Sequence, residues 1–168
     1  ISLEHLEKVE SYIKLGVEEG GTILTGGTRE MTGCVTAANH GAFLRPTIID
    51  GLHHTSRTST EEIFGPVVTV HRFDSDEQAI EMANSTEYGL AGSIWSTNID
   101  RAHGLAQQIE TGLIWVNTWL HRDLRTPFGG IKNSGVGREG GNWSLGFFSE
   151  PLNAVSYTHL RAHETLLY

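Results

Sequence analysis

The stretch Glu61-Glu62-Ile63-Phe64-Gly65-Pro66 sets two adjacent carboxylates and an aromatic ring at a turn leading into the apolar run Val67 to Val70. Taken alone, this is a turn carboxylate and a core aromatic entering a strand. A second set of chemically capable residues lies in "WLHRDLRTPFGG", where Arg122 and Arg125 precede Phe128. A guanidinium meets a carboxylate in a fixed two-bond fork, so either arginine could hold an anionic group. The plainer alternative is an exposed ion pair with Asp123, worth little. Residues 135–140, GVGREG, match G-x-G-x-x-G literally. A dinucleotide-binding loop of that form needs a strand before it, a long helix after it and an acidic residue about 20 positions on. Here Pro127, Gly129 and Gly130 precede the run, and only a short apolar turn from Trp143 to Phe148 follows before Pro151. The glycines are therefore expected to make tight turns, not a phosphate cradle.

The remaining candidates are weaker. Cys34 stands in a polar, glycine-containing stretch with no base beside it, which does not suit a nucleophile. His159, His163 and Glu164 mimic helical metal-ligand spacing, but no further ligand accompanies them. No metal site is expected.

The elements that must carry these residues follow from the hydrophobic rhythm. Residues 2–19 read as an amphipathic helix with Leu3, Leu6, Val9 and Ile13 near one face, Ser2 as its cap and Gly20-Gly21 as its stop. "TILTGG" is a short strand into a turn, residues 27–42 an exposed loop or hairpin, and "FLRPTIID" an extended segment that Pro46 places at an edge or bulge. "VVTVHRF" then alternates as a strand, and Ser75 to Ala83 forms a helix with Ile80 and Ala83 inward. "AGSIWS" is the next strand, Asn98 caps a helix whose Ile99, Ala102, Ala106 and Ile109 share a face, and "LIWVN" is the last strand. Strand and helix alternate with short connections, so the strands are expected to pair in parallel in an α/β fold. In such sheets ligands bind beyond the carboxyl ends of the strands, which is where residues 118–141 fall.

The 168 residues suffice for one domain or a large piece of a bigger protein. With 20 acidic against 12 basic side chains, the net charge of −8 argues against nucleic-acid or membrane-surface partners. No apolar run is long enough to span a bilayer. The single cysteine allows no internal disulfide and suits a reducing compartment, so a cytoplasmic location is expected. The last residues, "SYTHLRAHETLLY", break with the preceding composition and look like a translated adapter. The chain accordingly divides into a domain over 1–155 and a non-native tail over 156–168.

Four motifs in order, "EEIFGPVVTV", "NSTEYGLAGSIWS", "TGLIWVN" and "PFGGIKNSGVGREGG", resemble the NAD(P)-dependent aldehyde dehydrogenase superfamily. The resemblance runs from about residue 2 to Val155. The form "WVNTWLHRDLRTPFGG" is most similar to the 2-aminomuconate and 2-hydroxymuconate semialdehyde dehydrogenases, whose substrates carry carboxylates. The resemblance implies the carboxyl-terminal half of such an enzyme, a parallel-sheet catalytic domain with an oligomerisation segment. The nucleophilic cysteine, the glutamate that activates water and the asparagine that helps hold the oxyanion would lie upstream, so no catalytic residue is assigned here. The isolated chain is then expected to be inactive, and the complete enzyme to be a homo-oligomer.

Several roles carry over on this basis. Glu62 is implied to accept hydrogen bonds from the nicotinamide ribose hydroxyls, a task that suits the two oxygens of a carboxylate. Phe64 is implied to pack beside the nicotinamide end of NAD, with NADP not excluded. Phe128 matches an aromatic lining the substrate channel, and Arg122, with Arg125 in reserve, matches the position that binds the substrate carboxylate. Arg138 and Glu150 match positions near the subunit interface. Two other readings remain: an inactive oligomerisation module, or a family member acting on aliphatic aldehydes.

Overall fold

Ser2 caps the first helix by accepting from the backbone N–H of His5, and helix α1 then runs from Leu3 to Glu18. A computed structural model of the chain describes residues 2–29 and 41–156. Leu6, Val9, Ile13 and Gly16 form the buried stripe of α1, at the spacing expected of one helical face. Leu3, also expected on that face, is instead exposed, since periodicity gives a face but not which of its positions are covered. Gly20, with φ 96°, ends the helix by taking a conformation costly for any other residue.

Strands β1 (Thr22–Thr25), β2 (Thr47–Asp50) and β3 (Val67–Val70) form one sheet in that order, antiparallel between β1 and β2 and parallel between β2 and β3. Thr47 and Ile49 of β2 are fully buried, so the strand after Pro46 is central and not at an edge. Pro46 escapes the usual penalty by standing one residue before the ladder, while the bulge falls in β1 between Ile23 and Thr25. The short helix α2 (Arg57–Thr60) makes the crossover from β2 to β3. Glu19, just past α1, accepts from the backbone N–H groups of Arg57 and Thr58 at 2.9 and 3.1 Å and satisfies that helix's first donors.

Helix α3 (Asp76–Asn84) is capped by Ser75, and helix α4 (Ile99–Ala106) by Asn98. Between them lie strands β4 (Tyr88–Gly89) and β5 (Ala91–Ile94), and after α4 comes β6 (Leu113–Val116). Strands β5 and β6 pair in parallel through α4, as the rhythm predicts. The expected pairing of β3 with β5 is not made. The sheet of β3 ends at that strand, and β5–β6 forms a separate two-stranded sheet. Alternation in sequence identifies a crossover but not which strand lies beside which, and β3 is satisfied on one side by β2. On α3, Ile80 is half-buried as expected, whereas Ala83 is exposed. On α4, Ala102 is fully buried while Ile99 stays exposed.

The glycine run forms a tightly folded segment, not a cradle. Its strand β7 (Ile131–Lys132) pairs antiparallel with β4, and Phe128 and Glu139 face each other across an isolated bridge. The apolar turn expected at 143–148 is the end of a full helix, α5 (Gly141–Phe148). Gly112, leading into β6, meets the glycine segment so closely that a Cβ there would lie 1.7 Å from the Gly129 carbonyl oxygen. The backbone of the segment is thereby set directly against the β6 strand. Cys34, most of the 27–42 loop and the residues 157–168 that carry His159, His163 and Glu164 lie outside the described residues.

This close approach makes Gly112 intolerant and Gly104, in the exposed middle of α4 with open space around it, permissive. Gly112→Ala should destabilise by about 1–3 kcal/mol or more, as for forced overpacking. Gly104→Ala should instead stabilise by roughly 0.5–1 kcal/mol through helix propensity. Paired thermal or urea unfolding curves check both signs, and equal effects at the two positions would contradict the packing described.

Candidate functional site

The two adjacent carboxylates of the 61–66 turn have opposite surroundings. Glu61 is fully engaged: the Tyr12 hydroxyl donates to it at 2.7 Å, and Arg57 donates through Nε and Nη2 at 2.6 and 3.0 Å. The Arg57 hydrogen bond first, and that of Tyr12 second, hold the Glu61 carboxyl down at about 2. Glu62 is exposed, and its carboxylate has no side-chain partner among the described residues. Only its backbone carbonyl is tied, accepting from Lys8 Nζ at 3.2 Å. Of the pair, Glu62 is the carboxylate free to hold a ligand.

Phe64 has φ 57°, a conformation uncommon for a bulky residue, and the residue is 63% exposed. His5 donates from Nε2 to the Phe64 carbonyl at 2.6 Å and meets the ring edge-on at a centroid distance of 5.9 Å. Gly65 follows where no side chain fits, since a Cβ there would lie 2.6 Å from a Val9 methyl. Phe64, His5, Val9, Phe43 and Pro66 line a cavity of about 280 Å³. The turn thus points Glu62 and Phe64 outward while α1 grips its backbone.

The second group hangs from the end of β6. Asn117, at φ 53°, accepts from the Ser96 N–H and donates to the Ser96 carbonyl, each at 2.9 Å, so the ends of β5 and β6 are tied together. Trp115 is buried in β6, donates from Nε1 to the His121 carbonyl at 2.7 Å and packs against Trp119 at 4.9 Å. Those contacts fix the backbone next to Arg122. The Arg122 guanidinium lies over the Phe128 ring at 4.2 Å and pairs through Nη2 with Glu139. Phe128 and Glu139 are themselves joined by two backbone hydrogen bonds of 2.8 Å. A cation on an aromatic face with one carboxylate partner retains donors for a second carboxylate.

Arg122 and Phe128, singled out separately in the sequence, are therefore brought into contact. Arg125 is not part of this cluster: it is 88% exposed and bonds Asp123, whose carboxyl is lowered chiefly by that hydrogen bond. The plain ion pair weighed for Arg122 is thus made by its neighbour. Arg138 turns inward, donating to the carbonyls of Gly130 and Gly137 at 3.0 and 2.7 Å and bracing the glycine segment. Glu150 is exposed. Glu139 was missed in the sequence because it occupies a spacer position of the glycine pattern. Its opposite charge to Arg122, across the turn at Phe128, was the available signal. No hydrogen bond, ion pair or ring contact joins the Glu62–Phe64 group to the Arg122–Phe128 group among the described residues. Nor do those residues contain a cluster fit for a metal ion, or a helix long and apolar enough to cross a membrane.

Comparison with known proteins gives this arrangement a family. Residues 1–153 match the model of the aldehyde dehydrogenase family. The chain is 51% identical over 154 residues to 2-hydroxymuconic semialdehyde dehydrogenase of Pseudomonas sp. strain CF600, covering 91% of this chain and 31% of that protein. It is 47% identical over 159 residues to human 2-aminomuconic semialdehyde dehydrogenase, covering 95% and 32%. Among solved structures, a putative aldehyde dehydrogenase from Burkholderia cenocepacia superposes with a TM-score of 0.82 at 41% identity over 88% of this chain and 29% of that one. Betaine aldehyde dehydrogenase from Staphylococcus aureus, solved in complex with NAD+, gives 0.82 at 39% identity over the same shares. The chain belongs to the aldehyde dehydrogenase family, and it spans about a third of the length of the curated relatives it matches.

The engagement of Glu61 has a pH consequence. Its folded value of about 2 lies below the usual 4.5, so its contribution to stability is complete above 4.5 and is lost as pH falls towards 2. Glu61→Gln should therefore flatten the acid limb of a Tm profile between those two values. Parallel profiles for the variant and the parent chain would show that the Arg57 and Tyr12 contacts contribute nothing in solution.

Proposed function

We propose that this chain forms the part of an NAD-dependent semialdehyde dehydrogenase that seats the nicotinamide end of the cofactor and the distal carboxylate of the substrate. The complete enzyme oxidises an aldehyde that also bears a carboxylate, of the 2-aminomuconate or 2-hydroxymuconate semialdehyde type, to the acid. The observation that carries this reading is the Arg122 guanidinium stacked on Phe128 with donors to spare. The names of its relatives agree with an anionic semialdehyde.

Residues 1–155 act as a portion of the catalytic domain, and 156–168 as a tail without a role in it. The nucleophile and general base belong to the rest of the enzyme, and the chain alone does not turn over. Bound NAD, or NADP in its place, supplies the hydride acceptor. Glu62 accepts from the ribose hydroxyls with a carboxylate that no side chain of the described structure occupies. Phe64 presents its exposed ring beside the nicotinamide end. Holding that end over one carbon is what hydride transfer requires of the protein. On the substrate side, Arg122 takes the carboxylate and Phe128 backs it, while Arg125 remains with Asp123. Trp143, Phe148 and Leu152 are 57%, 76% and 91% exposed, which suits a chain that works within a larger homo-oligomeric, cytoplasmic enzyme.

Arg122→Ala in the complete enzyme should lower kcat/KM for carboxylate-bearing semialdehydes by roughly 2–4 kcal/mol, as for truncating one partner of a desolvated charge pair. Neutral aldehydes of similar size should be nearly unaffected. Equal losses on both substrate types would assign Arg122 to holding the loop and would remove the case for an anionic substrate.

A further inference from the structure

Arg122 and Phe128 reach each other from different elements. Arg122 follows β6, whereas Phe128 opens a hairpin over residues 128–139 that carries β7 and returns to Glu139. At the base of this hairpin Phe128 and Glu139 exchange two backbone hydrogen bonds of 2.8 Å. Midway, Arg138 Nη1 donates to the carbonyls of Gly130 and Gly137 and closes the hairpin on itself. Towards the tip, the Ser134 N–H donates to the Ile131 carbonyl at 3.1 Å, and a Cβ on Gly130 would lie 2.6 Å from the Ser134 Cβ. Base and tip are thus one tightly closed piece of backbone, and whatever fixes the tip also fixes the base.

Lys132 fastens the tip. Its ammonium has three N–H donors, and three acceptors meet them: the Asn84 and Thr86 carbonyls, each at 3.1 Å, and the Glu110 carboxylate at 2.6 Å. Asn84 is the last residue of α3, where unpaired carbonyls and the negative end of the helix dipole favour a cation. Its side chain also reaches the segment after α4, donating to the Gln108 carbonyl at 2.9 Å and accepting from the Glu110 N–H at 2.8 Å. The neighbours of Lys132 repeat the attachment. Asn133 donates its N–H to the Glu87 carbonyl at 2.9 Å, and the Ser134 hydroxyl accepts from the Gly89 N–H at 3.0 Å. Glu110 stands two residues before Gly112, which the Gly129 carbonyl approaches, and that stretch runs directly into β6. The Lys132–Glu110 pair therefore joins the element that carries Phe128 to the element that carries Arg122.

We propose that Lys132 is a positioning residue for the substrate carboxylate, acting through the hairpin on Phe128 and through Glu110 on the approach to β6. This rests on the reading of Arg122 and Phe128 as the carboxylate seat. With the ammonium in place, the Phe128 ring stays against the guanidinium at 4.2 Å and Glu139 remains its partner. Without it, three acceptors lose their shared cation, the tip separates from the start of β6, and the ring shifts relative to Arg122. Guanidinium and carboxylate meet in a fixed planar fork that tolerates little misplacement. The loss therefore falls on recognition of the carboxylate and not on the chemistry at the aldehyde.

The test uses the complete enzyme that carries this chain, with Lys132→Met deleting the ammonium and Lys132→Arg keeping a cation with several donors. For a carboxylate-bearing semialdehyde, Lys132→Met should raise KM about tenfold and leave kcat within about twofold, the pattern of binding lost equally from ground and transition states. A neutral aldehyde of similar size should change by less than about twofold, and Lys132→Arg should recover most of the KM. In an Arg122→Ala background, Lys132→Met should add less than about twofold, because both act on one site. Glu110→Gln keeps the side-chain shape and leaves Lys132 its two carbonyls, so it should raise the same KM about threefold. It carries the test if Lys132→Met does not fold. An unchanged KM, equal losses on anionic and neutral substrates, no recovery with arginine, or full additivity with Arg122→Ala would overturn the proposal. Arg122→Ala measured alone separates the two levels: if it costs both substrate types equally, the carboxylate seat is wrongly placed. If it discriminates between them while Lys132→Met and Glu110→Gln do not, the seat stands and the role of Lys132 fails.

Discussion

The contact of α1 with the 61–65 turn is the constraint from which the half of this structure around Glu62 and Phe64 follows. Val9 occupies the space that a side chain on Gly65 would need, and the buried cluster of Val9, Ile13 and Ile63 ties helix and turn into one body. With that cluster closed, β3 can begin directly after Pro66 and pair in parallel with β2. Beside that cluster Phe64 takes a positive φ, and three donors of α1 reach the turn. Core packing and turn geometry are here one interaction, since the residues facing the core hold the exposed Glu62 and Phe64 in place.

The half around Arg122 and Phe128 is built on a similar logic with different means. Parallel pairing of β5 and β6 brings their carboxyl ends together, and Asn117 locks them by a two-way bond to Ser96. From that anchor the chain leaves through Trp119 and Leu120, is caught by the Trp115 indole at His121, and delivers Arg122 onto Phe128. Phe128 is itself held by the glycine segment, which lies against Gly112 at a distance only two glycine-bearing backbones allow. The glycines that resemble a phosphate-binding fingerprint thus serve close backbone approach. On a chain of net charge −8, Arg122 is a cation only partly neutralised, by its pairing with Glu139.

Much of this was legible in the sequence, for identifiable reasons. Two capped helices announced themselves through Ser2 and Asn98, each of which accepts a backbone N–H of its helix's first turn, while Ser75, read as the first residue of its helix, proves to be its cap. The parallel pair β5–β6 followed from strand, helix and strand in close succession. Strand adjacency was not legible, because nothing local to β3 records whether β2 or β5 lies beside it. Leu3 and Ala83 are exposed although the rhythm places them inward, because periodicity gives a face but not which of its positions a neighbour covers. At the site, residue types pointed to Glu62, Phe64, Arg122 and Phe128, but neither the Arg122–Phe128 contact nor the inequality of Glu61 and Glu62 could be read. Both depend on partners, Glu139 in one case and Arg57 with Tyr12 in the other, that are set by tertiary packing.

The central claim is that Glu62 and Arg122 address opposite ends of the reaction, one the cofactor and the other the substrate carboxylate. A crystal structure of the complete enzyme with NAD and a six-carbon dicarboxylate in place of the semialdehyde tests it most directly. The account predicts the Glu62 carboxylate within hydrogen-bonding distance of the nicotinamide ribose hydroxyls, and one carboxylate of the ligand on Arg122 above Phe128. A structure with both ligands bound in which Glu62 faces solvent and Arg122 touches only Glu139 would contradict it.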